Sequence, residues 1–310
     1  MASESILAGF DLPVSKRSRF PRSKAWIDYL ALTKPEVNFL IVVTTFVGFY
    51  LGCPSLGRTF PLLRSMNAVL GTLLVASGTG ALNQYIERRF DSQMRRTARR
   101  PLAAGRLKPS AVLWFGVALS VLGTVYLAAA VNVLASELAL GTLLSYLFFY
   151  TPLKRKSPLC TLVGAVPGAM PPLIGWVAAS GQLSVSAWTL YSVLFLWQFP
   201  HFMSIAWMYR EDYARAGYLV LPQDESAKTR LVNWQTLLPL FLLIPISLLS
   251  VNTANASVAS CAGVLLLCGG FLYYGVQFVI RKSNASARHL LTASIIYVPS
   301  IFVAMILLRT

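Results

Sequence analysis

Charge is what this chain has least of. Only 11 of its 310 residues are Asp or Glu, and 12% are Asp, Glu, Lys or Arg together, against about 25% in a soluble globular domain. That shortage excludes an ordinary water-soluble fold and points to an integral membrane protein. Histidine and cysteine are also rare, at 2 and 4 residues. No C-x-x-C pair and no Cys/His cluster occurs, which leaves zinc and iron–sulfur centres without support. Cys261 and Cys268 lie on one expected helix, roughly 10 Å apart along its axis, too far for a bridge. All four cysteines therefore read as small apolar packing residues. Residues 1–34 lack the 7–15-residue apolar core of a signal peptide. Their Arg/Ser content resembles a mitochondrial presequence, but Glu4 and Asp11 count against it. Ionisable residues are almost absent from the middle of the apolar runs, and no internal repeat is evident. A transporter with a mid-membrane ion path is disfavoured on both grounds.

What the chain does have is long apolar sequence. Nine runs approach the ~20 residues needed to span a bilayer: near 35–53, 66–85, 110–131, 136–152, 159–180, 184–208, 232–251, 257–280 and 289–308. The reading is an all-α integral membrane protein of nine helices around a central cavity. A basic tail (1–34) precedes a membrane domain (35–310), and the tail ends in a surface-lying stretch, Trp26 to Leu32.

A net charge of +16 raises the question of nucleic acid, but its distribution answers no. Of the 27 Lys and Arg, 24 fall in 16–34, 88–108, 154–156, 210–230 and 281–288, and Arg58, Arg64 and Arg309 fall in the alternate segments. By the positive-inside rule this sets the N-terminus in the cytoplasm and the C-terminus outside. Acids gather on the same side: Glu36, Glu87, Asp91, Glu211, Asp212, Asp224 and Glu225, with Glu137 the exception among the helices.

The densest polar stretch is Asn83 to Leu102. Asn83, Glu87 and Asp91 are spaced by four, so each step turns about 40° and the three share one helix face. Three oxygen donors on one face suit Mg²⁺, which binds through one or two carboxylates plus substrate phosphates. Arg95, Arg96, Arg99 and Arg100 follow, cations that could hold a phosphate. The plainer reading is a helix end with i,i+4 ion pairs and topogenic arginines. Two further segments share the plan: Tyr150-Thr151-Pro152-Leu153-Lys154-Arg155-Lys156, and Pro200-His201-Phe202 followed by Arg210-Glu211-Asp212-Tyr213-Ala214-Arg215-Ala216-Gly217. In the last, Glu211 is expected to pair with Arg215. Gly164-x3-Gly168 reads first as close helix packing. Pro167, Pro171 and Pro172 then break that helix, beside a cavity on the functional reading. Trp26, Trp176, Trp188 and Tyr209 read as interface anchors.

These segments, in this order, resemble the protoheme IX farnesyltransferases, a branch of the UbiA superfamily of membrane prenyltransferases. The matching text runs from Lys34-Pro35 to the ninth run. It includes Asn83-x3-Glu87-x3-Asp91-x2-Met94-x-Arg96-Thr97-x2-Arg100-Pro101-Leu102 and Gly164-Ala165-x2-Gly168-Ala169-x-Pro171-Pro172. The resemblance implies that farnesyl diphosphate loses diphosphate to Mg²⁺ and cations, and that the allylic cation adds to a vinyl group of haem b, giving haem O. It implies that Asn83, Glu87 and Asp91 coordinate Mg²⁺–diphosphate, with Asp212 in a second acidic motif. Arg96, Arg100, Lys154 and Arg155 would grip the diphosphate, and Tyr213 and Arg215 join the substrate-binding set. Glu87 stands where the superfamily commonly has Asp, and Ala216 replaces the last acid of a full Asp-x3-Asp. His201 is either an interfacial hydrogen-bonding residue or an axial ligand of haem iron, with His289 as the second candidate. The implied setting is a bacterial cytoplasmic membrane, with a mitochondrial inner membrane the lesser alternative. The implied partners are the lipid bilayer and a haem A synthase or terminal-oxidase assembly factors. A quinone-type or aromatic-acid prenyltransferase is the rival within the superfamily.

Overall fold

The computed structural model describes residues 25–53, 60–252 and 257–308. Most of the expected tail, and with it Arg58 and Arg309, lies outside these residues. Among the described residues every regular element is a helix. The order is α1 (Ala25–Leu32), α2 (Pro35–Gly52), α3 (Leu62–Asp91), α4 (Pro109–Ala130), α5 (Val133–Leu144), a wider π turn (Ser145–Tyr150), α6 (Thr151–Leu153), α7 (Cys160–Gly168), α8 (Met170–Ser180), α9 (Val185–Met208), α10 (Arg210–Arg215), α11 (Glu225–Asn252), α12 (Val258–Arg281) and α13 (Asn284–Leu307).

Local chemistry sets the boundaries. Prolines that suit a first turn open α2, α4 and α8. Side chains cap others: Asn132 accepts from the Ala135 N–H at 2.7 Å, and Ser283 forms a reciprocal box with Ser286. Gly181, at φ 76°, ends α8 in the left-handed conformation. The break expected near the prolines of the fifth run falls at Ala169, between α7 and α8.

Eight helices, counting Val133–Leu153 and Cys160–Ser180 as single spans, are long and apolar enough to cross a membrane among the described residues. Their outward faces are greasy, with Leu266 77% and Phe39 72% exposed, so hydrocarbon is the environment that suits them. The remaining run, 184–208, forms α9, 24 residues long. It is not among the eight, because Gln198, Pro200, His201, Tyr191 and three Trp dilute its apolar content.

Two apolar cores fill the bundle. One gathers side chains of α9, α11, α12 and α13, such as Trp197, Leu240, Phe271 and Tyr297. The other gathers α3, α4 and α5 through Val75, Leu127 and Leu143. The α2–α8 pair is the wall between them: Val47 and Trp176 face the first core, Phe49 and Ile174 the second. These two helices touch backbone to backbone. A β-carbon on Gly48 would overlap the Pro172 carbonyl, and one on Gly175 the Thr45 carbonyl, so only glycine permits the approach.

Most important for the site is the length of α3. At 1.5 Å per residue its 30 residues span about 45 Å, well beyond the ~30 Å hydrocarbon core. The helix continues past the expected end near residue 85 without a break. Asn83, Glu87 and Asp91 therefore ride on its last turns.

Candidate functional site at the end of the third helix

Asn83, Glu87 and Asp91 all face inward, with exposures of 1%, 5% and 2%. The face that the spacing predicts is thus the buried one. Asp91 stands at the C-terminal end of α3, where the helix dipole is negative. A carboxylate there needs a cation close by.

Three elements each bring one. After α3 the chain folds back through tight turns, and the Thr97 hydroxyl donates to the Asp91 carbonyl at 2.9 Å. This returns Arg100 to Asp91, where Nη1 donates to both carboxylate oxygens at 2.9 and 2.7 Å. The π turn does the same for Lys154. It widens the helix ahead of Pro152, and the Asn83 amide then donates to Thr151 Oγ1 at 3.2 Å. Lys154 Nζ follows, 2.9 Å from Glu87 Oε1 and 4.5 Å from the centre of the Tyr150 ring. Gly164 leaves the space that this ring occupies, so the packing reading of that glycine holds. Burial alone would lower the Lys154 pKa, but Glu87 and the neighbouring tyrosines hold it well above the usual lysine value.

The third cation was not foreseen. Lys34 sits at the α1–α2 elbow in the left-handed conformation, φ 55° and ψ 64°, which is unusual for a side-chain-bearing residue. Gln84 fixes the elbow by donating to the Leu32 carbonyl at 3.1 Å, and Asn38 donates to the Thr33 carbonyl at 2.8 Å. Lys34 Nζ is thereby aimed at Asn83 Oδ1, 2.8 Å away. Burial pushes its ammonium down to about 7, Arg100 pushes the same way, and Glu87 opposes them. The boundary expected between tail and membrane domain at 34/35 thus falls beside a residue of the site. Helix α1 is also docked, through Asp28–Arg106 at 2.9 Å and Tyr29 against Phe115 at 5.0 Å.

The second acidic motif lies alongside. Leu219 N–H donates to the Lys154 carbonyl at 2.7 Å, and Tyr218 packs on Phe90. Arg96 lies over the Tyr209 and Tyr213 rings and donates to the Tyr213 hydroxyl at 3.2 Å. One expectation is corrected here. Arg215 pairs with Asp212, at 3.1 Å, and not with Glu211. The short α10 turns Asp212 inward and leaves Glu211 in the open, so the inward acid takes the arginine three residues on. Beside Glu87 opens a cavity of about 320 Å³ lined by Ile86, Phe90, Thr151, Pro152, Arg155 and Tyr218 among others. Arg155 stands at its wall with its guanidinium 4.1 Å from the Phe90 ring centre.

Tyr218, Thr151 and Lys34 are the site residues that sequence reasoning missed. Among the described residues no three of His, Cys, Asp and Glu converge into a metal cage. Two carboxylates and an amide oxygen spaced along one face suit a hard cation that takes its remaining ligands from phosphate.

His201 is elsewhere. On α9 its Nδ1 lies 2.8 Å from Ser294 Oγ of α13, and the Trp197 ring packs on it at 4.8 Å. The Ser294 hydroxyl proton is already given to the Leu291 carbonyl at 2.6 Å. Ser294 must therefore accept from Nδ1–H, which leaves Nε2 with its lone pair. His289 is exposed at the start of α13, with its ring 6.2 Å from Tyr274.

A multi-pass helical membrane protein with a buried row of oxygen donors, each met by a cation at the end of one long helix, is built to handle a charged group at the bilayer edge. Residues 41–303 match the UbiA prenyltransferase family. A protoheme IX farnesyltransferase of Solibacter usitatus is 46% identical over 288 residues, covering 91% of this chain and 98% of its own. One from Salinibacter ruber is 42% identical, covering 88% and 95%. Among solved structures, that of digeranylgeranylglyceryl phosphate synthase shares the fold with a TM-score of 0.75 at 16% identity, over 92% of this chain and 98% of that one. A UbiA homolog from Archaeoglobus fulgidus bound to GPP and Mg²⁺ gives 0.61 at 14% identity, over 90% and 99%. The chain belongs to the UbiA prenyltransferase family, in the branch of the protoheme IX farnesyltransferases.

Proposed function

We propose that this enzyme transfers the farnesyl group of farnesyl diphosphate to a vinyl group of haem b, giving haem O and diphosphate. The observation that carries the reading is the buried Asn83–Glu87–Asp91 face with Lys34, Lys154 and Arg100 against it. Asn83, Glu87 and Asp91 would hold Mg²⁺, which would supply charge neutralisation of the diphosphate and so improve it as a leaving group. Lys154 and Arg100 stabilise the charge left on the departing oxygen, and Arg96 and Arg155 hold the outer phosphate from the two flanks. The C–O bond breaks and leaves an allylic cation. The haem vinyl carbon attacks it, water adds to the resulting cation beside the macrocycle, and a proton leaves to solvent. The apolar interior between the helices shields the farnesyl cation from premature capture by water. Asp212, Tyr213 and Arg215 form the second wall, with Arg96 joined to Tyr213. His201 ligates haem iron through Nε2. Incubating purified protein with haem b, farnesyl diphosphate and Mg²⁺ tests the reading. Haem O is the expected product by mass, and its absence from folded protein overturns it.

In this reading α9 also crosses the membrane, which brings the spans to nine. The N-terminus and the charged site face the cytoplasm of a bacterial cell, and the C-terminus faces outward. The 24-to-3 distribution of Lys and Arg supports that orientation. A single cysteine placed in 92–98 or 224–228 of a cysteine-free variant is expected to react with a membrane-impermeant thiol reagent in inverted vesicles only. Labelling in intact cells with a permeable outer layer would reverse the orientation.

A further inference from the structure

The three donors of the α3 face and the three cations match one to one. Lys34 takes Asn83 at 2.8 Å, Lys154 takes Glu87 at 2.9 Å, and Arg100 takes Asp91 at 2.7 Å. The cations come from three separate segments, so no local helix pattern explains the match. Each of the three donor side chains has an oxygen held by a cation, and all three cations offered to a phosphate are engaged. With Lys34 protonated, the charge sum of the six is +1, from three cations against two carboxylates. A lone divalent ion must therefore enter a positive site and displace ammonium or guanidinium groups from their oxygens. A lone diphosphate must draw the cations off buried carboxylates and leave those uncompensated, which is strongly unfavourable. When metal and diphosphate arrive together neither penalty remains. The carboxylates turn to the metal and the cations to phosphate oxygens, and every charge keeps a partner. The groups are able to make this exchange. Arg100 uses one nitrogen for both Asp91 oxygens, leaving Nε and Nη2 as donors. Lysine is a point charge on a flexible four-carbon stem.

We propose that Lys34, Lys154 and Arg100 are the resting counterions of the metal donors and become the ligands of the diphosphate, so that metal and diphosphate bind as one coupled unit. Lys34 thereby joins the diphosphate-binding residues. The proposal rests on the prenyl diphosphate reading above, and it concerns binding, not turnover. The coupling is reciprocal: each ligand must raise the affinity for the other by the same factor.

The test is equilibrium binding of Mn²⁺, followed by its electron paramagnetic resonance signal, to purified full-length protein. It is run with and without a non-reactive farnesyl thiodiphosphate, and free Mn²⁺–thiodiphosphate complex is removed by filtration. In wild type the analogue should tighten Mn²⁺ binding by a factor of about 100. The sign in Lys154→Met is the sharper result. Removing a cation should tighten binding of Mn²⁺ alone, by at least about tenfold, while the coupling shrinks. Lys34→Met should act in the same direction, and its thermal unfolding profile checks that it is folded. Equal wild-type Mn²⁺ affinity with and without the analogue overturns the proposal and leaves the prenyl diphosphate reading intact. Unchanged or weaker binding of Mn²⁺ alone by both folded lysine variants also overturns it. If wild type holds no Mn²⁺ even with the analogue, the site reading itself fails, and the proposal with it.

Discussion

Asp91→Asn is expected to lower haem O formation by about a thousandfold, the scale on which loss of one transition-state electrostatic contact is felt. Asparagine keeps the volume and one oxygen for Arg100, so the turn that returns residues 97–100 to the helix end is retained. What disappears is the charge that holds a cation where diphosphate departs. The chain should still insert and bind haem, because Asp91 lies at the end of α3 and is not among the side chains that build the α9–α13 core. Product formation by mass, measured beside the thermal unfolding midpoint, checks this. A folded Asp91→Asn enzyme within tenfold of wild type would remove Asp91 from the metal-binding set.

His201→Ala is expected to act on the other substrate. The kcat/KM for haem should fall by about a hundredfold, the penalty for a misplaced reactant, with the KM for farnesyl diphosphate little changed. The structure adds a control that spacing alone does not suggest. Ser294 fixes the ring with Nδ1–H toward α13 and Nε2 free. Ser294→Ala removes the acceptor and should give a smaller defect of the same kind, with a shifted Soret band in the haem complex. If His201→Ala binds haem with unaltered affinity and spectrum, the hydrogen bond to Ser294 is the whole role of this histidine, and His289 is the next to test.

The parts legible in the sequence were those set by a single helix. A spacing of four places Asn83, Glu87 and Asp91 on one face whatever surrounds them, and the structure buries that face. Proline positions located the break between α7 and α8 to within two residues. Lys34 was not legible, because its direction depends on a left-handed elbow held by Gln84, and its target is 49 residues away. Thr151 and Tyr218 reach the site through a π turn and a loop that no periodicity announces. The Glu211–Arg215 pairing failed for a related reason. Both Glu211 and Asp212 are within reach of Arg215 along α10, and only burial decides which one takes it.

The diluted apolar content of α9 bears on how the chain is assembled. A segment carrying Gln198, Pro200 and His201 partitions into lipid less readily than its neighbours. Two of its polar groups find partners late: the Trp197 indole and the His201 imidazole bind Ser294, 97 and 93 residues further on. During synthesis α9 therefore waits for α13 before those groups are satisfied within the bilayer. A chain stopped before Asn284 should hold α9 loosely, with the 209–224 segment cut by protease more rapidly than in the full protein. Insertion of this enzyme is then not strictly sequential: α13 secures a helix, α9, whose first residue precedes its own by about a hundred positions.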